Sequence, residues 1–226
     1  SEHNQIFLTT HSPNVLSYIT DPRSVIKVTK KDSTKATQLR SNNESDYIRL
    51  KKDLKPWINE LFFSNFVVFT EGFPDKFVFD KAYELTGEKN EVVFIPANGK
   101  DNISTLIFIA KSYSIPHYAI MDKDSLYDGK KNNPVIDRAS SSILSIAKEV
   151  GLDTKKLGLL YSENNNGIKE SEIISVLEEK NIFILPKGEL EDYIGRGEKK
   201  EVNALKFCNK INAKEVPEDF RKIIKI

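Results

Sequence analysis

A single cysteine, Cys208, stands in 226 residues, which excludes a disulfide framework and a thiolate metal cluster. Missing too is the long apolar run that a bilayer span requires, and the N-terminus lacks a signal-peptide pattern. A cytoplasmic protein with no membrane partner is therefore expected. Neither sign of charge is in excess, with 34 Lys and Arg against 33 Asp and Glu, a net +1. That balance neither demands nor excludes nucleic acid, because carboxylates at a metal site and lysines along a groove cancel in the total. No G-x-x-x-x-G-K-[ST] segment occurs, so there is no phosphate-cradling loop and ATP hydrolysis by this chain alone is not expected. Internal repeats and long low-complexity tracts are absent as well.

What is present is an apolar share of 39%, enough for a packed core, arranged in two rhythms. The first third is mixed. Gln5 to Thr9 (QIFLT) has strand character, Val15 to Ile19 is apolar over one or two helical turns, and Ser24 to Thr29 alternates like a strand. Thr37 to Arg40 returns as another strand, and a helix is expected from about Asp46 to Phe62. Unbroken apolar runs then begin: Phe66 to Thr70 (FVVFT), Glu91 to Ile95 (EVVFI), His117 to Met121 (HYAIM) and Ile182 to Leu185 (IFIL). Such runs suit strands covered on both faces. Helical stretches separate them, at 73–85, 102–112, about 135–150 and 172–179, and 162–170 reads as a loop. The C-terminus is mostly helical. Alternation of this kind predicts an α/β fold with a parallel sheet flanked by helices.

Acids follow the strands. FVVFT leads into Glu71-Gly72 and then Asp75; HYAIM leads into Asp122-Lys123-Asp124-Ser125; IFIL leads into Pro186-Lys187-Gly188 and then Glu189-Leu190-Glu191. In a parallel sheet, ligands bind beyond the carboxyl ends of the strands, so three strands deliver carboxylates to one edge. Asp122 and Asp124 lie two apart, as do Glu189 and Glu191, which points each pair one way if extended geometry persists. Glu71 and Asp75 are four apart, one turn on a helix. So many carboxylates repel one another unless cations neutralise them, and oxygen donors favour Mg²⁺ or Mn²⁺. Any one of these acids also suits a helix cap or a first-turn position. Gly99 and Lys100 fall at the same edge, as a turn or as a contact for a substrate phosphate.

VVFTEGFPDK (Val67 to Lys76), VVFIPANGKDNI (Val92 to Ile103) and YAIMDKD (Tyr118 to Asp124) resemble the Toprim fold of primases, topoisomerases and OLD (overcoming lysogenization defect) nucleases. The resemblance implies metal binding by Glu71, Asp122 and Asp124, and in the OLD branch also by Asp75, Glu189 and Glu191. Ser125 matches the hydroxyl residue that often follows the acid pair. IFLTTHSPNVL (Ile6 to Leu16) is similar to the switch-histidine segment that closes an ABC-type ATPase domain, which implies that His11 senses the ATP γ-phosphate when a full ATPase domain is present. The domain organisation this implies is an ATPase end at 1–43, a connecting helix at 44–64, a Toprim domain at 65–198 and a helical segment at 199–226, a piece of a longer protein.

The activity implied is a metal-dependent endonuclease or nickase that cuts DNA with two ions, is coupled to an ATPase, forms homo-oligomers through the ATPase part and acts in anti-phage defence. An RNA-directed nuclease and a catalytically silent regulatory or dimerisation module are the alternatives. Glu71 and Asp122 are the expected catalytic acids. The OLD pattern also asks for a lysine on a helix after the late acids. Lys206 is the expected one, set between Leu205 and Phe207 in the apolar pattern Val202, Leu205, Cys208, Ile211, while Lys199 and Lys200 read as the exposed start of that helix. Basic clusters at Lys51/Lys52/Lys55, Lys130/Lys131 and Arg221/Lys222/Lys225 read equally as solvated faces.

Overall fold

The computed structural model describes residues 5–19, 21–30, 32–39, 44–45, 48, 51, 58–88, 91–130, 133–162 and 170–224. Near the N-terminus lie a short helix α1 (Pro13–Leu16) and an antiparallel hairpin of β1 (Ile26–Lys30) and β2 (Thr34–Gln38). The expected strand at 5–9 does not form: Ile6, Phe7 and Leu8 are exposed, and no described strand pairs with them. A strand is stable only beside a partner, so local propensity is insufficient here. Most of the connecting helix expected from Asp46 falls outside the described residues. Its end is a 3-10 turn, Asn59–Phe63. Lys27 of β1 grips that turn, its ammonium donating to the carbonyls of Phe62 (2.9 Å) and Ser64 (3.1 Å).

β3 (Phe66–Thr70), β4 (Val92–Pro96), β5 (His117–Met121) and β8 (Ile182–Ile184) form a parallel sheet in the order β4-β3-β5-β8. Alternate residues feed two cores. Val67, Phe69, Ile95, Ala119, Met121 and Ile184 face α3 (Ile103–Ser112), α4 (Ser141–Glu149) and α6 (Glu170–Glu178). Val68, Phe94 and Ile120 face α2 (Phe73–Thr86), α8 (Lys200–Lys210) and α9 (Glu218–Ile224). Burial on both faces explains why these strands read as continuous apolar runs. No described helix is long and apolar enough to cross a membrane.

One expectation fails in the insertion between β5 and β8, and another lies largely outside the described residues. The predicted helix at 135–150 is instead β7 (Asn133–Ala139), paired with β6 (Tyr127–Lys130), followed by α4. Pro134 and the β-branched pair Val135 and Ile136 favour extension, and Ser140 starts the helix by accepting a hydrogen bond from the Ile143 amide at 3.1 Å. The expected loop at 162–170 begins as the end of α5 (Thr154–Ser162), and α6 starts at Glu170; 163–169 lie outside the described residues. A short α7 (Glu191–Ile194) precedes α8.

Candidate metal centre

Parallel pairing brings the ends of β3, β5 and β8 to one edge. Main-chain bonds continue past the strands and tie the loops together. The Gly99 amide donates to the Glu71 carbonyl at 2.8 Å, and the Lys123 amide to the Gly188 carbonyl at 2.7 Å. Gly188 has φ 130, and a Cβ there would sit 2.5 Å from Asp192 Oδ2, so only glycine lets this turn close.

Glu71 follows β3 directly. Its Oε1 accepts from the Asp122 amide (2.9 Å) and the Ser125 hydroxyl (2.6 Å), which fixes the carboxylate and leaves its other oxygen available. Asp122 follows β5. Its Oδ1 accepts from the Leu190 amide at 2.9 Å, so the loop after β8 orients it. Asp124 stands on the 3-10 turn Lys123–Leu126. One oxygen each of Glu71, Asp122 and Asp124 lie within 4.8 Å of one another.

A second set converges from other elements. Asp75, in the first turn of α2, Asp122 again, and Glu191, at the start of α7, surround the Lys200 ammonium at 3.4, 3.1 and 3.5 Å. Asp122 therefore belongs to both sets. The Glu191 oxygen that faces Lys200 is buried and has no hydrogen-bond partner. A buried carboxylate oxygen left this way is costly unless a cation completes it.

The electrostatics match this crowding. Burial is the chief cause that pushes the Asp122 carboxyl up to about 7, and Asp75 and Glu71 add to it against the pull of Lys200. Burial likewise raises Glu71 and Asp75 above the ordinary carboxylate range. At Lys200, burial acts to lower the pKa, but Asp75, Asp122 and Glu191 together outweigh it and hold the ammonium charged. The donors are all oxygen, their charge is in excess, and the buried Glu191 oxygen has no hydrogen bond beyond its 3.5 Å ion pair with Lys200. These features fit hard divalent cations.

The remaining site candidates lie elsewhere. Glu189 turns to Arg196 at 3.5 Å and stands in neither set. His11 is exposed, with its ring 6.4 Å from that of Phe63, and joins neither carboxylate set. Lys206 is exposed and pairs with Glu198 at 2.7 Å, whereas Lys200 is the lysine of α8 that stands among the acids. Six residues on a helix turn through about 600°, which leaves the two about 120° apart around the axis and pointing to different sides. Half of the apolar pattern assigned to α8 is turned outward as well, while Cys208 and Ile211 stay partly buried against the core. Val202 and Leu205 are exposed, and Asn203 and Ala204 are buried, because the Asn203 amide must serve the carbonyls of Gly195 (3.0 Å) and Glu198 (3.3 Å). One signal for Lys200 was available: a lysine in the first turn opposes the helix dipole and so calls for nearby anions.

Comparison with known proteins gives a family for the central segment. Residues 62–124 match the family described as Overcoming lysogenization defect protein-like, TOPRIM domain. Among solved structures, the chain is similar to the C-terminal region of the Xanthomonas campestris pv. campestris OLD protein, with 11% identity, 74% of this chain and 93% of that chain covered, and a TM-score of 0.49. It is also similar to the C-terminal region of the Burkholderia pseudomallei OLD protein, with 14% identity, 71% and 82% covered, and a TM-score of 0.40. No curated protein matches.

Proposed function

We propose that this chain, whose residues 62–124 match the OLD-like TOPRIM family, is a divalent-metal-dependent endonuclease or nickase that cleaves DNA phosphodiester bonds. The observation that carries the reading is Asp122, a carboxylate shared by two sets of acids at the sheet edge. Glu71, Asp122 and Asp124 would hold one ion, and Asp75, Asp122 and Glu191 the other. Ions in such a pair supply Lewis acidity to the scissile phosphate and acidify the attacking water.

The chain's own groups do the rest. Ser125 and the Asp122 amide hold Glu71 in place, and the Leu190 amide fixes Asp122 so that its other oxygen faces the centre. Lys200 takes the role first expected of Lys206. Its ammonium, displaced from Asp75, Asp122 and Glu191 when an ion takes them, would face the negative charge that develops on the phosphate in the transition state. Residues 1–43 read as the end of an ABC-type ATPase domain, in which His11 would sense the γ-phosphate of ATP once a full ATPase domain is present. Homo-oligomerisation would run through the ATPase part of the full-length protein, and the whole would serve anti-phage defence in the cytoplasm.

The test is supercoiled plasmid incubated with the chain in Mg²⁺ or Mn²⁺, with tRNA in a parallel reaction. Relaxed or linear plasmid should appear, and Glu71→Gln and Asp122→Asn should each lower the rate by about a hundredfold or more while the fold is kept. Undiminished cleavage in either variant, or in EDTA, overturns the metal mechanism, and cleavage of tRNA alone moves the substrate to RNA.

A further inference from the structure

We propose that Lys100 is a clamp for a phosphate of the nucleic-acid strand, held on Asp124 in the metal-free protein and released when a divalent cation takes that carboxylate. The inference rests on the metal-centre reading above and extends it to how substrate is admitted.

Lys100 sits on a turn that is built rather than loose. β4 ends at Pro96, and the chain reverses through Asn98 (φ 58) and Gly99 (φ 121), the residue types that tolerate positive φ. The Asn102 side-chain amide donates to the carbonyls of Ala97 (3.0 Å) and Asn98 (3.1 Å), and Asp101 accepts from the Ser142 hydroxyl. The Gly99 amide is bound to the carbonyl of Glu71, which itself supplies a carboxylate to the centre. Lys100 therefore leaves the backbone one residue from an anchor point of the site. Its position is fixed even where its side chain is free to swing.

The two lysines at the centre are held very differently. Lys200 touches three carboxylates and is mostly buried. Among the described residues Lys100 pairs with Asp124 alone, at 3.6 Å, with both side chains about a third exposed (33% and 36%). An exposed pair of this kind contributes little, so a doubly charged ion at Glu71, Asp122 and Asp124 displaces the ammonium readily. Once displaced, the ammonium is repelled by the ion and confined to the mouth by its pinned turn.

Charge at the mouth changes with it. Glu71, Asp75, Asp122, Asp124 and Glu191 against Lys100 and Lys200 leave three net negative charges, which repel a polyanion. Two dications turn that to one positive, and the anion that then suits Lys100 is a backbone phosphate next to the one being cut. Lys123 is less suited, because Glu170 holds it at 2.6 Å.

The experiment measures binding, so it does not depend on turnover. Mn²⁺ titration of the wild-type chain and of Lys100→Gln is read by calorimetry, and short duplex DNA is bound to both in Ca²⁺ over a range of salt. Losing the competing ammonium should tighten Mn²⁺ binding about twofold to fivefold. DNA affinity should fall about fivefold to tenfold, with the salt slope shallower by about one, and Lys100→Arg should retain it. Unchanged DNA affinity and salt slope in Lys100→Gln overturn the clamp while normal Mn²⁺ uptake leaves the metal centre standing. Weaker Mn²⁺ binding in the variant also overturns it, since Lys100 would then support the ligands rather than compete with the ion. If the wild type takes up no Mn²⁺, the metal-centre reading falls and the clamp falls with it.

Discussion

Consider Asp122→Asn in the metal-free protein. Asp122 is 6% exposed, and its carboxyl is raised from 3.8 to about 7, first by burial and then by Asp75 and Glu71. A carboxyl whose pKa is higher in the folded state is bound more tightly by its proton there than in the unfolded chain. Its contribution is therefore most favourable below 3.8 and is lost as pH rises through 7, where the native state holds an ill-solvated charge. The gap from 3.8 to about 7 corresponds to a ceiling of about 4 kcal/mol. Asparagine keeps an oxygen for the Leu190 amide and the side chain's shape, but removes one of three carboxylates from Lys200. With that loss set against the ceiling, the variant should gain about 1–3 kcal/mol at pH 8.

Urea denaturation followed by circular dichroism in EDTA, from pH 5 to pH 8, measures this directly. The advantage of Asp122→Asn should grow with pH across that window. Adding Mg²⁺ at about a hundred times its dissociation constant should stabilise the wild type by about 2.7 kcal/mol and the variant hardly at all, so the advantage closes or reverses. A variant less stable than wild type at pH 8 in EDTA, or an advantage equal at pH 5 and pH 8, refutes the reasoning.

Lys200→Ala should reduce plasmid cleavage about a hundredfold with Mn²⁺ affinity kept or tightened, while Lys206→Ala stays within about twofold; the reverse order, measured by single-turnover rates, would return the role to Lys206. Lys27→Met should destabilise the protein by about 1–3 kcal/mol in urea melts, because the Phe62 and Ser64 carbonyls lose their buried donor. Burial lowers the Lys27 pKa from 10.5 to about 8, so wild-type stability relative to Lys27→Met should be smallest below pH 8 and rise towards 10.5 as the buried charge is lost.

The parallel sheet was legible because its strands are covered twice, so hydrophobicity alone marks them, and the acids after them fell at the one edge where such sheets bind ligands. The hairpin β6–β7 was not legible. Its signals, Pro134 and the Ser140 cap, are single residues inside a stretch whose apolar spacing also fits a helix. QIFLT shows the opposite failure, since strand propensity without a partner strand leaves Ile6, Phe7 and Leu8 exposed. The late acids were parted by geometry. Pointing Glu189 and Glu191 the same way required extended backbone, but the chain turns at Gly188 and starts α7 at Glu191, which sends one carboxylate to Arg196 and the other to Lys200. Asp122 and Asp124 escaped that fate because the turn after β5 still brings both within reach of Glu71.

The choice between Lys206 and Lys200 shows what a pattern of apolar residues leaves out. Val202 and Leu205 defined a stripe that placed Lys206 near buried neighbours, yet α8 buries Asn203 and Ala204 and turns that stripe outward. What orients the helix is polar. Asn203 must satisfy two loop carbonyls, and Lys200 must answer three carboxylates that arrive from α2, β5 and α7. Neither requirement is local in sequence: Lys200 lies 125 positions from Asp75 and 78 from Asp122, by the numbering of the chain. A metal centre must also survive folding before any ion arrives, when its carboxylates have only the chain's own cations for company. Lys200 and Lys100 supply that company at the two sets of acids. The same ammonium groups become available to a phosphate once ions replace them. Basic residues that neutralise an empty site are thus the ones best placed to meet substrate in a full one, and they are found by asking which charges the folded acids require.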